Sequence, residues 1–133
     1  MNFLVNNREI WFIPVINPDG YVYNESIEPD GGGMHRKNRR DTGCGFGTQR
    51  GVDLNRNYGY GWGANDTGSS PDPCSAIYRG ESAFSEPEIE IVKDFILNRN
   101  FKNNHAKNVN PTSYSLSTEF INCFLFLFSV TIF

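Results

Sequence analysis

The sequence predicts an α/β chain from three observations: a continuous apolar run near the amino terminus, a long loop-rich middle, and an amphipathic helix after it. Strand, loops and helix in that order suit a sheet covered by helices. A length of 133 residues allows one domain with a modest core. Eleven phenylalanines argue against global disorder.

The predicted strand is Glu9-Ile-Trp-Phe-Ile-Pro-Val-Ile16, with a charge before it and Asn17-Pro-Asp-Gly20 after it, the pattern of a parallel strand buried on both faces. Pro14 donates no hydrogen bond, so an edge or an irregularity near the strand's end is expected. Asn17-Pro18 reads either as a turn or as N-cap and first position of a short helix through Tyr21 to Tyr23. From Ile27 to Ser82, Gly, Asp, Asn, Ser and Pro dominate, and only Gly51 to Leu54 resembles a short strand. A loop this long in a compact domain points to a functional surface. Phe46, Tyr58, Tyr60, Trp62, Tyr78 and Phe84 are too many aromatics for a linker.

Ser85-Glu-Pro-Glu88 predicts a helix start, with Ser85 as N-cap and Glu88 completing a capping box. The helix runs to about Asn98, with Ile89, Val92, Phe95 and Ile96 on one stripe opposite Glu90, Lys93 and Asp94. After Lys102 the chain turns Asn-rich from Asn103 to Asn110, then apolar from Ile121 to Phe133. That run is too short for the roughly 20 residues of a membrane span. It reads as a β-prone segment, a buried strand, or sequence never selected to fold, and the last is preferred.

A net charge of −3 gives no field for nucleic acid. The cluster Arg36-Lys-Asn-Arg-Arg40 reads as a solvated loop or as a small-anion site. The three cysteines include no CxxC pair, and a bridge between Cys44 and Cys74 would close a long loop and suit an oxidising compartment. Asn24-Glu-Ser26 and Asn65-Asp-Thr67 both fit the permissive N-glycosylation pattern. The amino terminus shows no signal peptide, so any secretion signal is expected upstream of Met1.

A zinc hydrolase needs about three protein ligands, and neither histidine, His35 or His105, opens a His-x-x-Glu pair or lies in His-Glu-x-x-His. No Gly-x-Ser-x-Gly elbow is present, and neither Cys44 nor Cys74 has a histidine partner in a motif. What remains is a set of guanidinium and amide groups. Arg56 beside Asn55, with Arg36 upstream, offers planar forks that match a carboxylate. On the residues alone this is an anion site, and pairing of these arginines with Asp53, Asp41 or Glu81 is an equal alternative.

Val52-Asp-Leu-Asn-Arg-Asn-Tyr58 followed by Trp62-Gly63 resembles the signature of the zinc carboxypeptidase A/B family. Five further pieces follow the family's order: Ile13 to Tyr21, Met34-His-Arg-Lys37, Ser69 to Cys74, Tyr78-Arg-Gly80 and Phe84 to Glu88. The resemblance covers residues 9–102 as a partial catalytic domain and leaves 103–133 outside it. It implies the central part of a mixed, mostly parallel sheet with flanking helices, incomplete at both ends.

By position, the resemblance makes Asn55 and Arg56 the clamp on a peptide's terminal carboxylate. Arg36 becomes the arginine that polarises the scissile carbonyl and stabilises its oxyanion. Asp53 becomes the carboxylate that orients a zinc-bound histidine, and Cys44 and Cys74 a disulfide. The implied cofactor is zinc and the implied partners are peptide or protein C-termini, in a secreted or vacuolar setting. The departures are the family's zinc ligands and general-base glutamate, which match no residue of this chain. The expectation is therefore a fragment of a C-terminal peptide hydrolase, inactive alone, left by truncation or by a gene model run into non-coding sequence. A non-catalytic carboxylate-binding module is the alternative, and a chain that does not fold alone is a third reading.

Overall fold

The computed structural model describes residues 8–98 and 126–131. In chain order it contains β1 (Arg8–Ile13), α1 (Pro18–Ile27), a 3₁₀ turn (Leu54–Arg56), α2 (Pro87–Leu97) and β2 (Phe126–Thr131). β1 pairs antiparallel with β2, with Trp11 opposite Phe128 and Ile13 opposite Phe126. This corrects the expectation of a parallel partner. The apolar run near the carboxyl end, for which sequence never selected to fold was the preferred reading, supplies the neighbouring strand. β1 also stops three residues earlier than the apolar run, because Pro14 has no N–H to give to a ladder.

Of the two readings of Asn17-Pro18, the helix is the one formed, and it reaches Ile27. Asn17 Oδ1 accepts from the Gly20 N–H at 2.9 Å, and Pro18 at the first turn gives up no bond that the helix needs. Asn17 Nδ2 also donates to the Lys37 carbonyl at 3.0 Å, which ties the start of α1 to the basic cluster. Gly20 is required there, since a Cβ would lie 2.7 Å from that same carbonyl.

α2 begins differently from the expected capping box. Glu86 is its N-cap and makes no side-chain cap bond, and Pro87 opens the helix. The Ser85 hydroxyl is taken instead, accepting from Asn57 Nδ2 at 2.8 Å and donating to Glu86 Oε1 at 2.7 Å. The apolar stripe works as expected: Ile89 and Val92 are buried with Leu54 and Tyr58, and Ile16, Phe84 and Ile96 pack around them. This small core lies directly beneath the segment that carries Asn55 and Arg56.

Candidate functional site

The site is built on Val52 and Asp53, which form an extended segment without being part of a strand. Val52 accepts from the Asn38 N–H at 3.0 Å, and the Asp53 N–H donates to the Tyr78 carbonyl at 2.8 Å. Gly51, at φ +99, lies against the Asn38 backbone with no room for a side chain. The chain then turns tightly, because Asp53 Oδ1 accepts from the Asn55 N–H at 3.2 Å and caps the 3₁₀ turn. That cap leaves Asn55 and Arg56 half-buried while Leu54 anchors the turn in the core.

Three of the residues singled out in the sequence meet at Asp53. Arg36 Nη2 donates to Asp53 Oδ2 at 2.6 Å, and Arg56 Nε stands 3.9 Å from the same oxygen. Asp53 is 1% exposed. Burial pushes its carboxyl up, while the Arg36 and Arg56 guanidiniums and the Asn55 N–H pull it down less strongly. Asp53 therefore orients arginines, and no histidine lies beside it among the described residues. Of the two alternatives drawn from the sequence, the pairing of Arg36 with Asp53 and the approach of Arg56 to the same oxygen match the internal ion pair. The other acids named there have different partners: Glu81 pairs with Arg40 at 2.9 Å and Asp41 with Arg50 at 3.9 Å.

The polar groups around the site are committed to one another. Asn57 Nδ2 donates to the carbonyls of Arg79 and Ser82 and to Ser85 Oγ, while its Oδ1 accepts from the Glu86 N–H at 3.1 Å. Buried Glu86 accepts from Arg40 at 2.8 Å and from Asn38 Nδ2 at 2.7 Å. Buried Lys37 donates to three carbonyls. Sequence reasoning missed Lys37, Asn38, Asn57 and Glu86, because nothing local marks a polar loop residue as buried. Against this background Asn55 and Arg56 stand apart. Among the described residues neither the Asn55 carboxamide nor the Arg56 guanidinium makes a side-chain hydrogen bond, and Arg56 Nε, shielded from solvent, has only the ion pair with Asp53 at 3.9 Å.

Cys44 and Cys74 form a disulfide that closes the loop carrying this segment. His35 stands edge-on to Tyr23 with ring centroids 4.8 Å apart. Burial is the main force pushing its imidazole down, and nearby Arg39 and Lys37 add to it. Below the unfolded value of 6.5, the unfolded chain takes a proton that the folded chain refuses, so stability is present above that pH and is lost as the pH falls. Urea midpoints measured at neutral and mildly acid pH should show this decline. His35→Gln should flatten it, and an equal slope in the variant would place the titration elsewhere.

Buried Asp53 thus holds Arg36 directly and draws Arg56 toward the same oxygen, with the half-buried Asn55 beside them. The chain belongs to the zinc carboxypeptidase family, whose model matches residues 1–118. It is 39% identical over 94 residues to a carboxypeptidase B of Astacus astacus, covering 71% of this chain and 29% of that protein. It is 42% identical over 88 residues to metallocarboxypeptidase A of Arthroderma otae, covering 66% of this chain and 19% of that one. An inactive metallocarboxypeptidase of Paracoccidioides brasiliensis is 37% identical over 101 residues, covering 76% of this chain and 16% of that one. The crystal structure of carboxypeptidase A from Helicoverpa armigera matches with a TM-score of 0.50 and 45% identity, covering 63% of this chain and 19% of that one. The fold is thus carboxypeptidase-like, and the chain spans less than a third of the length of these relatives.

Zinc chemistry calls for about three ligands around an open position. Among the described residues no three His, Cys, Asp or Glu side chains gather to hold a metal ion. Asp53 is engaged by arginines and both bridging cysteines are consumed, so the described donor set does not fit zinc. His105 lies outside the described residues. No described helix is long and apolar enough to cross a membrane.

Proposed function

We propose that residues 9–102 carry the substrate-carboxylate grip of a metallocarboxypeptidase that removes C-terminal residues from peptides and works in a secreted or vacuolar compartment. In this reading Asn55 and Arg56 clamp the terminal carboxylate, and Arg36, steered by Asp53, faces the scissile carbonyl. The observation that carries it is that neither the Asn55 carboxamide nor the Arg56 guanidinium makes a side-chain hydrogen bond among the described residues, beside the bonded network of Lys37, Asn38, Asn57 and Glu86. The intact domain would add the mostly parallel sheet, the zinc ligands and the general base, and this chain alone is catalytically silent. The second reading, a carboxylate-binding module without catalysis, draws on the 37% identity to a relative described as inactive.

The test is calorimetric binding of an N-blocked dipeptide, with its C-terminal amide as control. Charge-assisted hydrogen bonds contribute roughly 1.5–3 kcal/mol each, so Arg56→Ala should weaken binding about 10- to 100-fold and leave the amide unaffected. Unchanged affinity would sink the clamp assignment. Adding zinc separates the two readings of the isolated chain from a third outcome: tight zinc binding with release of the C-terminal residue would show that the chain has a catalyst after all.

A further inference from the structure

The sequence holds two matches to the N-glycosylation pattern, and the structure treats them oppositely. Asn24 lies half-buried in α1, and one edge of its carboxamide is fully used. Its Oδ1 accepts from the His35 N–H at 2.9 Å, and its Nδ2 donates to the His35 carbonyl at 2.7 Å. Both bonds go to one residue, so the Nδ2 hydrogen involved lies on the same side as Oδ1. A secondary amide prefers the trans arrangement, which puts the nitrogen's substituent on the oxygen's side. A sugar on Asn24 would therefore replace that hydrogen and occupy the position of the His35 backbone. The Ser26 hydroxyl is also occupied, donating to the Tyr23 carbonyl at 2.7 Å.

Asn65 has the reverse character. Asn65, Asp66 and Thr67 are all exposed. Asn65 Oδ1 accepts from the Thr67 N–H at 2.9 Å, a local turn that brings the carboxamide and the threonine onto one side of the loop. Among the described residues its Nδ2 has no partner. The loop is held by its neighbour instead: Asp66 pairs with Arg79 at 2.8 Å, and Arg79 lies over the Trp62 ring at 5.4 Å. At both ends the surroundings are open, since a side chain at Gly61 or Gly68 would meet nothing within 4 Å. The Cys44–Cys74 bridge suits the oxidising compartments in which this modification occurs.

We propose that Asn65 is an N-glycosylation site and that Asn24 is not. The donor is a lipid-linked diphospho-oligosaccharide. Asn65 Nδ2 forms a bond to the anomeric carbon of the first sugar as the bond from that carbon to the diphosphate oxygen breaks. The lipid diphosphate leaves with the bonding pair, and one Nδ2 proton passes to a base of the transferring enzyme. A glycan there extends into solvent from a loop that Arg79 and Trp62 keep in place.

The inference shares only its compartment with the proposed function, and translation of the full chain behind a signal peptide into microsomes supplies that compartment. Failure of the carboxylate reading therefore leaves it untouched. Glycosidase digestion, gel mobility and peptide mass mapping read the outcome without requiring activity. One glycosidase-sensitive shift is expected, lost in Asn65→Gln and in Thr67→Ala and kept in Asn24→Gln. A chain with no glycan, or with a glycan on Asn24 alone or alongside one on Asn65, would overturn the proposal.

Discussion

Replacing Cys44 and Cys74 together by serine should cost about 3–4 kcal/mol of folding stability. The two lie 30 residues apart, and closing a loop of that size restricts the unfolded chain by roughly this amount in the chain-entropy account. Against a typical domain stability of about 5–15 kcal/mol, this is a large share. The geometry of the proposed clamp, however, does not depend on the bridge. Val52 and Asp53 are fixed by backbone bonds to Asn38 and Tyr78, and Asp53 holds Arg36 directly. Urea unfolding should therefore show a much lower midpoint, while dipeptide affinity, measured without denaturant on the folded fraction, stays near that of the parent. An unchanged midpoint would mean that the bridge closes a loop already ordered in the unfolded chain.

The elements that were legible in the sequence are those whose signals are local. The stripe Ile89, Val92 and Ile96 repeats at the helical period, so α2 could be read, whereas Asn17-Pro18 suited a turn or a helix start alike and only the fold selects the helix. β1 could be located but its partner could not, because pairing β1 with β2 depends on residues more than a hundred positions away. Ser85 misled for a related reason. Its capping pattern is local, but a distant side chain, Asn57, competes for the hydroxyl and the N-cap moves to Glu86. In the site, guanidinium and amide types named Arg36, Asn55 and Arg56 as anion binders, and the fold brings Arg36 and Arg56 to one carboxylate. The network that holds them was not legible. Lys37 in a basic run looks like a solvated charge, and only the folded loops reveal it as buried.

Lys37→Met should be the most damaging single substitution in that network. Lys37 is 2% exposed, and its ammonium donates to the carbonyls of Gln49 at 2.6 Å, Ser75 at 2.8 Å and Pro73 at 3.4 Å. Methionine keeps the length and much of the apolar stem but leaves those carbonyls without a donor, at about 1–3 kcal/mol for each buried group left unpaired. A loss of about 3 kcal/mol is expected, read as a drop in the urea midpoint. Arginine should not restore it, because a planar fork cannot serve three carbonyls gathered around a compact ammonium. The substitution should also couple to the disulfide. Gln49 lies inside the loop closed by Cys44 and Cys74, and Pro73 and Ser75 flank Cys74, so the lysine and the bridge fix the same two stretches of chain. Once either is lost, those stretches are freer and the other has less to hold. The triple variant should therefore lose less than the sum of its parts, by on the order of 1 kcal/mol. Strict additivity would mean that the ammonium and the bridge stabilise the loop independently, and a Lys37→Met chain as stable as the parent would remove the lysine from the account altogether.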